Sequence, residues 1–212
     1  MTERKISKIV VRRLPRYMRY LRELEKKGVS KVSSKELSEL MGHTASQIRQ
    51  DLNNFGGFGQ QGYGYSVENL HNEIRSILGL DREYRVVVVG FGRLGQAIAN
   101  YLKKNEPSFN IVGIFDIKDN VQGAEFPGAE MLTCKSLKSF VDEKNVDIAV
   151  ITVPIEKAQI VADTVCEAGV KGIWNLTSVD LEIPEEVAVE NVHMSDSLHS
   201  LAYFLNEKEN GR

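Results

Sequence analysis

A glycine-rich turn between a strand and a helix restricts the fold of this chain more than any other feature. Residues 85–89 are a short run rich in β-branched side chains, and residues 90–95 read G-F-G-R-L-G before apolar residues recur at helical spacing. This order of strand, G-x-G-x-x-G and helix is typical of a doubly wound parallel sheet, in which the helix N-terminus receives a phosphate group. The sequence therefore predicts an α/β fold with a dinucleotide site at this turn.

The second strand of the same region supports this prediction. Residues 111–115 are apolar and end at Asp116, about 20 residues after the last glycine, where an acidic side chain binds the ribose hydroxyls. A carboxylate at this position disfavours a 2′-phosphate, so NAD is expected rather than NADP. A glycine turn without a ligand, and the same geometry used for another nucleotide such as coenzyme A, are the alternatives.

Later strands are predicted at 146–152, 172–175 and 187–189, with a helix at 156–168. In doubly wound sheets the ligand lies at the carboxyl ends of the strands, so residues that follow them are expected on the nicotinamide side, with loop-structural roles as the alternative. From these motifs the predicted cofactor contacts are Gly90, Phe91, Gly92, Arg93, Leu94, Gly95, Asp116, Ile117, Lys118, Thr152, Val153, Pro154 and Asn175.

The formal charge differs in sign between the two halves of the chain. The whole chain has a net charge of −2, but residues 1–80 hold 14 Lys and Arg against 8 Asp and Glu, a net +6, which leaves −8 for the remainder. This asymmetry predicts that the N-terminal half meets a polyanion, with a solvated basic face as the alternative.

The basic half is predicted to be a winged helix-turn-helix domain. Apolar residues at helical spacing predict a first helix that begins at Pro15 and ends at Gly28. Capping boxes at 33–36 and 44–47 start two shorter helices, which are separated by a tight glycine turn. Residues 55–65 interleave glycines with aromatics and glutamines and predict a small hairpin, which is either a wing against the DNA backbone or a structural element.

The third helix has the composition of a DNA recognition helix. Its apolar residues Ala45, Ile48, Leu52 and Phe55 share one face and should pack inward, which leaves arginine and amide side chains on the opposite face. Asp51 is the exception, and we expect it to orient a basic neighbour. The predicted DNA contacts are Arg12, Arg13, Ser46, Gln47, Arg49, Gln50, Asn53, Gln60, Gln61 and Tyr63.

The final helical segment, residues 197–207, carries apolar side chains over too wide an arc for a surface helix. A second subunit would cover it, and the two-fold symmetry of operators favours a dimer; packing on its own sheet is the alternative.

Several classes of site are excluded by what the sequence lacks. Cys134 and Cys166 have no CxxC or Cys/His spacing, so they are interpreted as reduced thiols and no metal site is expected. No apolar run is long enough to span a bilayer and no leader is recognisable, so we expect a cytoplasmic protein with no membrane partner.

Three motifs taken together resemble the Rex family of redox-sensing transcriptional repressors. They are R-R-L-P-R-Y-M-R-Y-L at 12–21, Q-I-R-Q-D-L-N-N-F-G at 47–56 and the glycine turn at 90–95. The resemblance runs over nearly the whole chain. It implies a winged-helix domain at 1–80, a Rossmann-type NAD(H)-binding domain at 81–195, and a C-terminal helix and tail at 196–212 that are exchanged between subunits.

The resemblance also implies a function. A homodimer would bind operator DNA when NADH is scarce and leave it when NADH binds, so that NADH and NAD⁺ are sensed ligands rather than substrates. By similarity, Arg19, Tyr101 and Asp196 form a polar latch that NADH breaks and NAD⁺ tolerates, and Tyr101 lies behind the glycine turn beside the cofactor. Gln50 stands where many members carry Lys or Arg, so the operator is expected to differ.

Two other classes of function remain as alternatives. One is an NAD-dependent oxidoreductase with a basic N-terminal dimerisation domain, although residues 81–212 leave no room for a separate substrate domain; His193 and His199 would be its acid/base candidates, with structural roles as the alternative. The other is a constitutive nucleic-acid-binding protein whose second domain does not sense redox state.

Overall fold

The computed structural model describes residues 7–53, 64–117 and 125–211. The chain divides into two compact units, Met1–Arg82 and Glu83–Arg212, and each has its own hydrophobic core. Within the described ranges no helix is long and apolar enough to cross a membrane, and no group of metal-ligating side chains comes together.

The N-terminal unit is a helix-turn-helix with a short antiparallel ribbon. Its elements are α1 (Lys8–Lys26), β1 (Lys31–Val32), α2 (Ser34–Met41), α3 (Ala45–Asn53), β2 (Tyr65–Ser66) and α4 (Val67–Ile77). β1 pairs with β2, with Lys31 opposite Ser66. The core is formed by one stripe from each of the four helices, with Tyr17, Leu37, Ile48 and Leu70 fully buried.

The first helix begins earlier than the sequence predicted. Ser7 caps α1 by accepting a hydrogen bond from the amide of Val10, and Pro15 therefore lies inside the helix, so the predicted start at Pro15 was wrong. A proline within a helix removes one backbone hydrogen bond. The helix continues through it because the buried stripe, which includes Val10 and Leu14, runs without interruption on either side.

One of the two predicted capping boxes is complete. The Ser33 amide donates to Glu36 Oε2 at 2.6 Å and the Glu36 amide donates to Ser33 Oγ at 3.1 Å, as the prediction required. At α3 only half of the box forms, because the Gln47 amide donates to Thr44 Oγ1 at 3.1 Å while the Gln47 side chain turns to Asp51 instead. The prediction of a second full box was wrong.

The C-terminal unit is a doubly wound parallel sheet, as predicted. Its strands are β3 (Tyr84–Val89), β4 (Phe109–Asp116), β5 (Glu130–Thr133), β6 (Ile148–Ile151), β7 (Gly172–Asn175) and β8 (Ala188–Asn191), and its helices are α5 (Arg93–Asn105), α6 (Leu137–Lys144), α7 (Ile155–Glu167) and α8 (Met194–Glu209). The strand order is β5-β4-β3-β6-β7-β8 and every pair is parallel. The chain reverses its direction of winding between β3 and β6, which is the switch point where ligands bind in this fold.

The last helix differs from the other helices of this unit because it has no buried residue. Its apolar side chains are about half exposed or more, with Leu198 at 64 %, Tyr203 at 59 % and Phe204 at 56 %. The prediction that residues 197–207 form a helix with an uncovered apolar surface is therefore confirmed. The alternative, packing of this helix on its own sheet, is not what the structure shows.

Candidate functional site

The glycine turn lies at the switch point of the sheet and is shaped by three glycines. Gly90 has a φ of +99°, and a Cβ there would lie 2.8 Å from the carbonyl carbon and oxygen of Thr152. A Cβ on Gly95 would lie 1.9 Å from the carbonyl oxygen of Gly90, so only glycine lets α5 pack this closely on the turn. Gly92 has open space within 4 Å of its Cβ position, where a ligand can approach the backbone.

Hydrogen bonds from both neighbouring strands hold this turn. Thr152 Oγ1, after β6, donates to the carbonyl of Gly90 at 2.7 Å. Asp116, at the end of β4, accepts a hydrogen bond from the amide of Phe91 at 2.7 Å. The Thr152 side chain thus supports the turn, a role that the sequence analysis missed, and the Asp116 carboxylate lies against the turn where the ribose-binding acid is expected.

The start of α5 has the electrostatics of an anion site. Gly92 is its N-cap, has no side chain to satisfy the first amides of the helix, and the first turn carries no acidic residue. The unpaired amides and the helix dipole place partial positive charge at this end. Open space over Gly92 beside this helix end fits a pyrophosphate, so the residues present fit a dinucleotide.

The other predicted cofactor residues lie at varied depth around the turn. Phe91 is half-buried with its ring edge-on to Phe126, and Leu94 packs into the core. Arg93 and Ile117 are exposed, Val153 is half-buried and Pro154 is exposed. Lys118 lies outside the described residues. Tyr101 is on the third turn of α5, about 12 Å along the helix axis from Arg93, where it lines a groove rather than the glycine turn.

Asn175 has a different role from the predicted one. It is fully buried, and its Nδ2 donates to the carbonyl of Val179 at 2.7 Å and to Asn191 Oδ1 at 2.8 Å. Its Oδ1 accepts from the amide and the hydroxyl of Thr177, at 3.0 and 2.7 Å. Because these four hydrogen bonds use the whole capacity of the amide, the prediction that Asn175 contacts the nicotinamide is corrected to a structural role at the end of β7.

We expect Asn175→Ala to lower the free energy of unfolding by about 3 kcal/mol, because it leaves several buried polar groups without a partner. Asn100 offers a matched control, since it is an exposed asparagine on α5 whose side chain donates to the carbonyl of Gln96 one turn earlier. Asn100→Ala should change the stability by less than about 0.5 kcal/mol. Urea denaturation of both variants measures the difference, and equal stabilities would contradict the structural role.

An apolar groove of about 500 Å³ lies on one face of the same sheet. It is lined mainly by strand residues, together with Tyr101 of α5: Val86, Ile148, Val150, Trp174 and Val189. Tyr101 is 51 % exposed beside it. The groove and the uncovered apolar surface of α8 are thus two unpartnered apolar features of one unit.

The recognition helix exposes most of the polar positions that the sequence predicted for its outer face. Ile48 and Leu52 are buried, while the polar positions Ser46, Arg49, Gln50 and Asn53 are exposed, as is Arg12 on α1. Arg49 Nη1 donates to Ser34 Oγ at 3.2 Å, which connects α3 to the start of α2. Phe55, Gln60, Gln61 and Tyr63 lie outside the described residues.

A buried carboxylate connects this helix to α1. Asp51 accepts from Arg13 Nε at 2.7 Å and Nη2 at 2.6 Å, from the Tyr17 hydroxyl at 3.0 Å and from Gln47 Nε2 at 2.9 Å. The expectation that Asp51 orients a basic neighbour is confirmed. The sequence analysis placed Asp51 on the polar outer face of this helix, and that placement was wrong, because the structure buries the carboxylate completely against its donors from α1. The hydroxyl of Tyr17 was not predicted as one of these donors.

The remaining candidates are described within their own units. Arg19 is exposed on α1, with its guanidinium 5.5 Å from the centre of the Tyr20 ring. Asp196 is exposed in the first turn of α8. His193 Nε2 lies 3.4 Å from Asp180 Oδ1, and His199 is exposed. Cys134 and Cys166 are both free thiols, as expected, and burial raises the pKa of each.

Two family models match the chain. One, described as a putative DNA-binding protein N-terminus, matches residues 5–53, and the other, described as a CoA binding domain, matches residues 81–179. The first covers the helix-turn-helix and the second covers the glycine turn and most of the sheet.

Full-length relatives decide the family. A redox-sensing transcriptional repressor Rex from Thermoanaerobacter pseudethanolicus is 52 % identical over 97 % of this chain and 92 % of the relative. One from Clostridium novyi is 52 % identical over 96 % of this chain and 97 % of the relative. The chain belongs to the Rex family of redox-sensing transcriptional repressors. This membership confirms the resemblance seen in the sequence and sets the oxidoreductase alternative aside.

Solved structures of Rex-family proteins have the same fold. The repressor RSP is 50 % identical over 97 % of both chains, with a TM-score of 0.89. Its complex with NAD⁺ and operator DNA is 51 % identical over 96 % of this chain and 94 % of that chain, with a TM-score of 0.89. Its complex with NADH is 48 % identical over 97 % and 96 % of the two chains, with a TM-score of 0.88.

Proposed function

We propose that this Rex-family chain is a transcriptional repressor that responds to the NADH/NAD⁺ ratio. It binds operator DNA as a homodimer and is released when NADH occupies its glycine turn. The observation that carries the proposal is the open space over Gly92 at the start of an uncapped helix, in the same chain as a polar recognition helix. DNA and NADH meet in the cytoplasm, which is where we place the protein.

The nucleotide is held by backbone more than by side chains. Amides at the start of α5 receive the pyrophosphate, and Asp116 receives the ribose hydroxyls. When bound, the coenzyme supplies a nicotinamide ring that is cationic as NAD⁺ and neutral as NADH. Val153 and Pro154, after β6, are the described residues that we expect on the nicotinamide side.

The N-terminal unit reads the operator. Ser46, Arg49, Gln50 and Asn53 of α3 face solvent together and can donate to base edges or phosphates. Gln50 pairs best with adenine, whereas the Lys or Arg expected at this position in many members favours guanine. Arg12 of α1 is exposed as well and adds a phosphate contact.

The dimer forms through α8. Its uncovered apolar side chains and the apolar groove beside Tyr101 have matching chemistry, and neither is satisfied within the unit. We therefore place α8 of one subunit in the groove of the other, as the exchanged helix of the family implies. Two copies then present two recognition helices to the two half-sites of an operator.

The switch is a polar cluster of Arg19, Tyr101 and Asp196. The one-charge difference between the two nicotinamides biases this cluster, and the bias changes the population of the DNA-binding state.

Asp196→Ala should weaken the release of DNA by NADH at least about 5-fold, which corresponds to about 1 kcal/mol of lost coupling. Operator affinity at increasing NADH measures the effect, with the exposed Asp142→Ala as the control. A normal NADH response would remove Asp196 from the switch.

The function is tested by titrating labelled operator duplexes, drawn from pseudo-palindromic promoter sites of the host genome, with the full-length protein. The salt concentration is kept fixed because phosphate contacts dominate the affinity. Release of DNA by NADH, but not by an equal concentration of NAD⁺, is the expected result. DNA binding that neither coenzyme changes would contradict redox sensing, and release by coenzyme A would assign the site to the ligand class of its family model.

A further inference from the structure

Asp51 is a charged residue in an unusual place for the DNA-binding unit. Its exposed fraction is 0 %, although it lies on α3, the helix that supplies the operator contacts. A buried carboxylate loses its hydration, and a buried ion pair is often no more stabilising than apolar residues of the same volume. Stability alone therefore does not explain why this position is acidic.

Two partners of Asp51, Arg13 and Gln47, border the polar face of α3 that we expect to contact DNA. Arg13 contacts both carboxylate oxygens, through Nε and Nη2, which fixes the plane of its guanidinium relative to α3. Gln47, one helical turn before Asp51, donates its Nε2 to Oδ1, and this hydrogen bond fixes which end of the amide remains for other partners. Arg13 and Gln47 are both partly exposed.

The charges around Asp51 favour this arrangement at neutral pH. Burial alone would raise the pKa of Asp51, but the hydrogen bonds from Arg13, Gln47 and Tyr17 lower it by a larger amount. The pKa of Asp51 therefore lies below its usual range, and the carboxylate stays ionised. Burial, with the neighbouring carboxylate, raises the pKa of the Tyr17 hydroxyl, which therefore remains a donor. Arg13 neutralises the carboxylate, so that its charge does not repel DNA phosphates.

We propose that Asp51 is a positioning residue for operator recognition, which holds Arg13 and Gln47 in the orientation that discriminates operator from other DNA without contacting DNA itself. This inference rests on the proposed function. A purely structural role, in which Asp51 only joins α1 to α3, is the competing explanation.

The test compares Asp51→Asn with Tyr17→Phe in the full-length protein. Asp51→Asn keeps the size of the side chain but removes the charge and one of the acceptors that Arg13 uses. Tyr17→Phe removes one hydrogen bond from the same carboxylate and leaves Arg13 and Gln47 in place. Affinities for an operator duplex and for a scrambled duplex of equal length are measured at one salt concentration, and their ratio is the specificity.

We expect Asp51→Asn to lower the specificity about 10-fold or more, the size of one lost bidentate base contact. Tyr17→Phe should keep the specificity within about 2-fold of the wild type, even if the melting temperature of the protein falls. A loss of protein stability lowers the affinity for both duplexes alike, whereas the orientation of the side chains sets the ratio of the two affinities. If Asp51→Asn does not fold, it is replaced by Arg13→Lys, which keeps both charges but loses the bidentate geometry. The expected result is the same loss of specificity.

Each outcome decides between the explanations. The positioning role is overturned if folded Asp51→Asn, or Arg13→Lys where it is used instead, has the specificity of the wild type. It is also overturned if Tyr17→Phe loses as much specificity as Asp51→Asn. In the double-mutant cycle of Asp51→Asn with Gln47→Ala, the inference predicts coupled effects on specificity, and additive effects contradict it. If the wild-type protein distinguishes no operator from scrambled DNA, the proposed function fails and the inference fails with it.

Discussion

Replacing Gly95 by alanine is expected to lower the affinity for NADH at least about 100-fold, a loss of about 2.7 kcal/mol. The new Cβ would lie 1.9 Å from the carbonyl oxygen of Gly90 and 2.9 Å from Thr152 Oγ1. The first of these atoms is backbone, so α5 must move away from the turn and take its N-terminal amides out of position. Fluorescence titration with NADH measures the affinity, and thermal unfolding measures the accompanying loss of stability.

Two other glycines serve as controls for this experiment. Gly92→Ala has open space in the protein alone, so it should leave the stability unchanged and still weaken NADH binding, because the space is the expected place of the pyrophosphate. Gly172→Ala meets only ordinary contacts, the nearest at 3.6 Å, and should change neither property. Wild-type NADH affinity in Gly95→Ala would show that the turn is not the site.

Two carboxylates in the apolar surface of α8 are expected to separate the dimer. Leu201 and Phe204 are 52 % and 56 % exposed, so Leu201→Asp with Phe204→Asp does not disturb the core of its own unit. In a dimer whose groove covers them, the two buried charges would each cost several kcal/mol. Sedimentation should therefore show a monomer, and operator affinity should fall at least about 100-fold because the two half-sites no longer bind as one unit.

The matched control places the same two carboxylates on polar positions of the same helix, as Ser197→Asp with Asn206→Asp. This variant should remain a dimer with normal operator affinity. NADH binding should be unchanged in both variants, because α8 contributes no buried residue to the fold that forms the glycine turn. A dimer that survives the changes at Leu201 and Phe204 would refute the exchange of α8.

The sequence predicted the features that follow from local spacing. The glycine turn, the two strands beside it and the buried face of α3 are each specified within a window of about 30 residues, because strand and helix periods are local properties. β5 and α6 were not predicted. β5 has only four residues, none of them fully buried, and so lacks an apolar run, while α6 has only eight residues and no side-chain cap at its start.

The corrected residues depended on contacts that sequence spacing does not reveal. Asn175 ends a strand, as cofactor residues do, but its four hydrogen bonds come from a loop and from β8. Thr152 was placed correctly at the end of β6, yet its support of Gly90 requires the register of two parallel strands. The hydrogen bond from the Tyr17 hydroxyl to Asp51 was not predicted, because the two residues are 34 positions apart in the sequence.

The separate cores of the two units bear on how such repressors diversify. Among the described residues, the core behind the recognition helix shares no member with the two cores of the sheet. Substitutions that change which bases α3 prefers, such as those at Gln50, are therefore compensated by neighbours inside the N-terminal unit alone. A lineage of these proteins can acquire new target genes while its coenzyme site is inherited unchanged.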